Sequence, residues 1–186
     1  MARDRETVYQ QLLVVRSQRG DRQAMDELIA HWQQRLFYYV RRLVDQEADA
    51  WDVLQKTWLR VVRHLRSLKD PRAFPCWLYT TARNTAIDHG RIRQNLVWQS
   101  DRLEDAAEPD DDAQFETDNA EAVHAAMVKL TPAHREVLTL FFLEDLSVEE
   151  IGQVVGAPQG TIKSRLHYAR RALHEVMTSA TEEGAP

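Results

Sequence analysis

Ten carboxylates and a single arginine fall between Asp101 and Glu121, and this run limits what the chain can fold into more than any other feature. Between Ser100 and Gln114 there is no aromatic residue and little aliphatic surface, and Pro109 interrupts the acids. A segment of that composition buries too little apolar area to offset the entropy of ordering it. One core running through all 186 residues is therefore not expected. The reading is two small domains, 1–96 and 118–186, joined by an acidic linker at 97–117.

The run carries −9 of a formal net charge of −5, which leaves +4 on everything else. An acidic total thus hides basic surfaces, and it does not exclude a nucleic-acid partner. The lone cysteine, Cys76, rules out an internal disulfide and a multi-cysteine zinc site, and it fits a reducing compartment. Met1 to Glu6 is polar, and no apolar run approaches the ~20 residues that a membrane span needs. The expectation is a cytoplasmic protein with no membrane insertion, no cofactor and no metal.

Strand signals are absent on both sides of the acidic run, whereas helix signals recur. Thr7 to Ser17 and Asp21 to Val44 read as helices separated by Gly20, with Asp21 as N-cap. In Asp49 to Leu65, apolar side chains at Val53, Leu54, Thr57, Trp58, Val61, Val62 and Leu65 form one buried stripe, and Asp52, Gln55, Lys56, Leu59 and Arg63 lie opposite. Asp70-Pro71 opens a fourth helix that runs to about Arg93. Its inward side is read as Phe74, Trp77, Leu78, Thr81, Ala82 and Thr85. Its outward side is read as Tyr79, Thr80, Arg83, Ile87 and Arg91, with Asn84 at the border. The fold class expected is all-α.

In the second domain, a helix from about Asn119 to Lys129 precedes Thr131-Pro132, a cap with proline at the first helical position. The helix this opens is expected to reach about Leu143. Ser147-Val-Glu-Glu150 is a capping box, and its helix stops at Gly156 and Pro158. Another helix starts near Gln159, so the pair makes a helix-turn-helix. Ile162, Leu166, Ala169 and Leu173 recur on the inward side of this last helix. Lys163, Ser164, His167, Tyr168, Arg171 and His174 lie outward, flanked by Arg165 and Arg170, and no acid occurs between Glu150 and Glu175. Cations for phosphates and guanine, with short polar groups near the N-terminus for base edges, suit a helix in the major groove of DNA.

The first domain suggests a different nucleic-acid chemistry. Arg60, Arg63, Arg66, Lys69, Arg72, Arg83, Arg91 and Arg93 surround the fourth helix, interleaved with Phe74, Trp77 and Tyr79. Rings that stack on unpaired bases, beside cations that track the backbone, suit a single strand. Trp77 and Phe74 fall on the inward stripe, so Tyr79 is the stacking candidate.

Ala50-Trp-Asp-Val-Leu-Gln-Lys-Thr-Trp-Leu-Arg60 and Trp77-Leu-Tyr-Thr-Thr-Ala-Arg-Asn-Thr-Ala-Ile-Asp88 resemble conserved region 2 of extracytoplasmic-function sigma factors. Leu130 to Leu140, Leu146 to Ile151 and Gly160 to Leu166 resemble their region 4. The resemblance covers about 20–95 and 118–175. It implies a subunit that binds core RNA polymerase and directs it to promoters, contacting the β′ clamp and the β flap. It places Asp52, Gln55, Lys56 and Leu59 at the clamp helices. Arg72, Phe74, Tyr79, Thr80, Arg83 and Asn84 would lie at the −10 element, and Gly160, Thr161, Lys163, Ser164, Arg165, His167, Tyr168 and Arg171 at the −35 element. The family usually has acids where Trp51 and Lys56 stand. Trp51, on one edge of the third helix's stripe, is expected to enlarge the core, while Lys56 reverses a charge in the polymerase contact. An anti-sigma factor is a common partner in the family, although no residue here points to one.

The competing reading is an autonomous helix-turn-helix regulator whose first domain is a dimerisation or partner domain. For an enzyme, the seven histidines form no His-Glu-x-x-His, and neither a glycine-rich phosphate loop nor a Gly-x-Ser-x-Gly elbow occurs.

Overall fold

The computed structural model describes residues 2–90 and 120–182. Among them every regular element is helical, as the sequence pattern requires. The elements are α1 (Ala2–Gln18), α2 (Arg22–Leu43), α3 (Glu47–His64), α4 (Phe74–Asp88), α5 (Ala120–Lys129), α6 (Pro132–Leu138), α7 (Val148–Val155) and α8 (Gln159–Glu182). Two single 3₁₀ turns, Leu65–Ser67 and Pro71–Ala73, lead from α3 into α4. The chain divides into two units, Met1–Arg93 and Gln94–Pro186. The segment read as a linker, 97–117, lies outside the described residues.

In the first unit, Gly20 takes φ +92 and turns the chain from α1 into α2. Asp21 caps α2 by accepting the N–H of Ala24 at 3.1 Å, while its other oxygen meets the Arg16 guanidinium at 2.7 Å. The Ala24 N–H, and after it Arg16, hold this carboxyl below the usual carboxylate range. Trp32 of α2 stands at the centre of the core. Phe74 and Tyr79 of α4 meet it edge-on at 5.9 and 6.0 Å, and Tyr39 meets Tyr79 at 5.0 Å.

Five sequence expectations are corrected here. Tyr79, expected outward, is fully buried in this cluster, and Arg83, also expected outward, is buried. Trp77, expected inward, is only half-buried. Residues 74, 76, 78, 79, 82, 83, 85 and 86 face in, so the buried side of α4 reaches about one residue beyond the expected stripe. The cause is that α4 packs against both α2 and α3 and buries a wider arc than one stripe. On α3, Val62 was expected in the stripe but is 52% exposed, and Trp51, expected to enlarge the core, is 46% exposed. Residues 53, 54, 57, 58 and 61 already fill the face toward α2 and α4.

In the second unit, the Arg135 guanidinium donates to the carbonyls of Met127, Val128 and Leu130 at 3.0, 2.8 and 2.9 Å. It thereby satisfies the carbonyls that the end of α5 leaves open. Thr131 caps α6 through the His134 N–H at 3.3 Å, with Pro132 in the first turn. Where the sequence suggested helix to about Leu143, α6 ends at Leu138 and the last turn, Thr139–Leu143, widens to π geometry. This turn leaves Phe142 and Leu143 exposed.

Candidate nucleic-acid interface

The capping box at the head of α7 is complete. Ser147 Oγ accepts the Glu150 N–H at 3.2 Å, and Glu150 Oε2 accepts the Ser147 N–H at 2.8 Å. Gly156 stops α7 at φ +74, and the three residues 156–158 lead into α8. The turn closes over Gly152, whose carbonyl accepts the N–H groups of Gly156 and Ala157 at 2.8 and 3.0 Å. A Cβ at Gly152 would lie 2.8 Å from the Ala157 oxygen, so only glycine fits this turn unstrained.

The turn sets α8 so that Ile162, Leu166, Ala169 and Leu173 are buried, as their spacing implies. Lys163 is exposed and makes no hydrogen bond or ion pair among the described residues. Gly160 is exposed at the first turn, and Thr161 is half-buried. Ser164 Oγ donates to the Thr161 carbonyl at 3.0 Å. His167 and Tyr168 stand on the same stretch, rings edge to face at 5.4 Å. Arg171 is exposed but carries an ion pair to Glu175 at 3.1 Å. Arg165 is half-buried, and its positive charge, after burial, is the second cause that depresses the pKa of His134 below its ordinary value. Arg170 folds back over the rings of Phe141 and Phe142, 5.1 and 5.3 Å from their centroids. It braces α8 on the π turn.

In the first unit, α1 holds the chain that precedes α4. Gln18 Nε2 donates to the carbonyls of Leu65 and Leu68 at 3.0 and 2.7 Å. Sequence reasoning missed this residue, because a glutamine at a helix end carries no local signal of so remote a partner. Asp70 caps the second 3₁₀ turn through the Arg72 N–H at 2.9 Å and also binds the Arg72 guanidinium at 2.9 Å. The Arg72 side chain is the larger cause that keeps this carboxyl below the usual range. Beyond this loop, Arg72 and Asn84 are exposed and Thr80 is half-buried, with its hydroxyl donated to the Cys76 carbonyl at 2.8 Å. Phe74 and Tyr79 are shut inside the core, so neither ring is available to a base. Trp77, 6.2 Å from Phe74, is the aromatic side chain of α4 that keeps an open face.

The outward face of α3 carries Asp52, Gln55, Lys56 and Leu59, all exposed. Asp52 Oδ2 lies 3.9 Å from His89 Nε2 at the end of α4, and Arg60 binds Asp88 at 2.7 Å, which pins α3 to α4. Among the described residues no cluster of three His, Cys, Asp or Glu could hold a metal ion, and no helix is long and apolar enough to cross a membrane.

Two family models match the two units: Sigma-70 region 2 over residues 28–95, and Sigma-70, region 4 over residues 126–175. The RNA polymerase sigma-H factor of Pseudomonas aeruginosa is 32% identical over 191 residues, covering 93% of this chain and 96% of that protein. The chain belongs to the extracytoplasmic-function sigma factors. The ECF RNA polymerase sigma factor SigE of Mycolicibacterium smegmatis is 31% identical, covering 89% of this chain and 67% of its own. Among solved structures, the sigma factor RpoE of Bartonella quintana, crystallised with the anti-sigma factor NepR, matches at TM-score 0.61 and 25% identity over 82% of this sigma factor and 96% of RpoE. CnrH, solved with the cytosolic domain of CnrY, shares the fold at TM-score 0.64 and 24% identity, over 92% of this chain and 98% of CnrH.

Proposed function

We propose that this sigma factor binds core RNA polymerase through the outward face of α3 and brings it to promoters that it reads at two elements. The observation that carries this reading is the helix-turn-helix of the second unit, whose α8 offers Lys163 and short polar groups on one side and no acid before Glu175. On this reading 118–186 is the −35 domain. Its contacts come from Gly160, Thr161, Lys163, Ser164, Arg165, His167, Tyr168 and Arg171, as cations on phosphates and polar groups on base edges. The domain 1–96 holds polymerase with Asp52, Gln55, Lys56 and Leu59, and engages the −10 element with Arg72, Thr80 and Asn84. Trp77 takes the stacking role first read for Tyr79. The chain itself performs no catalysis and acts in the cytoplasm, and an anti-sigma factor of the kind bound to RpoE is a natural antagonist.

Transcription in vitro with core polymerase and a promoter library tests the reading. The expected result is initiation at a defined set of −10/−35 pairs that depends on the chain. Sequence-specific DNA binding by the chain alone, with no association with core polymerase, would overturn it in favour of an autonomous regulator.

A further inference from the structure

Trp51, Gln55, Leu59 and Val62 recur at i, i+4, i+8 and i+11 along α3 and so share one line of its surface. The three apolar members are 46%, 52% and 52% exposed. Trp51 is not loose: its indole stacks on Phe37 of α2 with centroids 4.2 Å apart and planes 28° from parallel. A shallow groove beside the stack is lined by Ala30, Gln33 and Gln34, none of them charged. A linear apolar edge of this kind, with one aromatic ring already fixed in place, is the form of a partner-binding surface.

The charges around the edge say what kind of contact it makes. Asp52 and Lys56, one helical turn apart, offset each other at its middle, Glu47 and Arg63 stand at its opposite ends, and Asp52 also faces His89 at 3.9 Å. At the middle of the edge little net field is left to attract a charged partner, whereas the apolar line gains from leaving water. The line lies within the stretch matched by Sigma-70 region 2 and shares Gln55 and Leu59 with the face assigned above to polymerase. The partner that covers that face therefore covers this edge.

We propose that Trp51, Leu59 and Val62 form an apolar docking edge, through which core RNA polymerase is held by burial of an apolar counterpart more than by ion pairs. This rests on the assignment of α3 to polymerase binding and adds the chemistry of the contact. Where the family usually places a carboxylate, this chain places an indole that salt does not screen.

The test is the affinity of the full chain for core polymerase across a salt series, for wild type, Trp51→Ala, Trp51→Phe and Val62→Ser. Trp51→Ala should weaken binding roughly tenfold or more, about 1.4 kcal/mol, at every salt concentration, and Trp51→Phe should recover most of the loss. Val62→Ser removes apolar area without touching the Phe37 stack, so a weaker complex with an unchanged melting curve supports the edge even where Trp51→Ala loosens the fold. Affinity of both variants equal to wild type, or a loss confined to low salt, overturns the proposal. A change in the chain's own sedimentation on Trp51→Ala would also overturn it, because the occupant would then be a second copy. If the wild-type chain does not bind polymerase at all, the assignment of α3 falls instead.

Discussion

Gln18 Nε2, at the last residue of α1, donates to the carbonyl oxygen of Leu68 at 2.7 Å, across fifty residues of sequence. With its second bond, to Leu65 at 3.0 Å, it fastens the loop that leads from α3 into α4. The loop carries Arg66, Lys69 and Arg72 on its exposed side, so its position fixes where these three cations stand before α4.

Gln18→Leu keeps the size of the side chain but takes the Gln18 donor from the Leu68 carbonyl and leaves the Leu65 carbonyl with the Leu68 N–H at 3.1 Å. The expected cost is about 1–3 kcal/mol of stability, the usual penalty for stranding a partly buried acceptor. Urea unfolding of the variant checks it. Promoter opening should fall along with stability, while binding to a −35 duplex should be unchanged.

Tyr79 and Trp77 separate fold from function on one helix. Tyr79→Ala removes a ring that touches Trp32 and Tyr39 in the core, and it should cost about 3–5 kcal/mol in unfolding experiments. Trp77→Ala removes a half-exposed ring. It should impair opening of duplex promoters while leaving polymerase binding intact, and a premelted template should restore part of the activity. Equal transcription by Trp77→Ala on both templates would remove Trp77 from the stacking role.

The contrast between these residues shows what the sequence could and could not reveal. Asp21, Thr131, Ser147 and Gly156 were legible because a cap is decided within three or four residues. The buried line of α8 was legible because that helix packs one narrow face. On α4 the two possible stripes share Leu78, Ala82 and Thr85, and side-chain polarity favoured burying Trp77 and Thr81 over Tyr79 and Arg83. The choice between them is made by Trp32 and Tyr39, more than thirty residues upstream, and by α3 on the other side. Gln18 was hidden for the same reason. The π turn at Thr139–Leu143 has no pattern of its own, since a single widened turn keeps the apolar spacing of the α-helix before it.

Gly152→Ala tests the helix-turn-helix without touching any residue assigned to DNA. The new methyl would sit 2.8 Å from the Ala157 oxygen, and a backbone atom in a closed turn has little room to yield. Overpacking of this kind costs about 1–3 kcal/mol. Helix content by circular dichroism should be nearly unchanged, while binding to the −35 element weakens because α8 is tilted on α7.

Lys163 and Arg171 both face outward on α8, but their surroundings differ. Lys163 makes no ion pair among the described residues, whereas Arg171 is held by Glu175 at 3.1 Å. Lys163→Ala should therefore cost more promoter affinity, about 1–3 kcal/mol if it reads a base, or a salt slope lower by about one if it meets a phosphate. Arg171→Ala should cost less, and Glu175→Gln should tighten binding by freeing the cation. Quantitative DNA binding of the holoenzyme over a salt series distinguishes these outcomes.

His134 gives the second unit an acid-sensitive point. Burial first, and the nearby Arg165 second, lower its pKa from the ordinary 6.5. The folded state thus binds a proton less readily than the unfolded chain. Above pH 6.5 both states are neutral at this site and its full contribution to stability is present. As pH falls below that value the unfolded chain takes up the proton first, so stability declines until the folded pKa is passed, after which this site adds no further slope. His134→Gln keeps a polar side chain on α6 but cannot titrate. Melting temperatures of the two proteins should run parallel above pH 6.5 and diverge below it, with the wild type losing more. Parallel curves throughout would mean that His134 titrates alike in the folded and unfolded chain, and that Arg165 exerts no appreciable field on it.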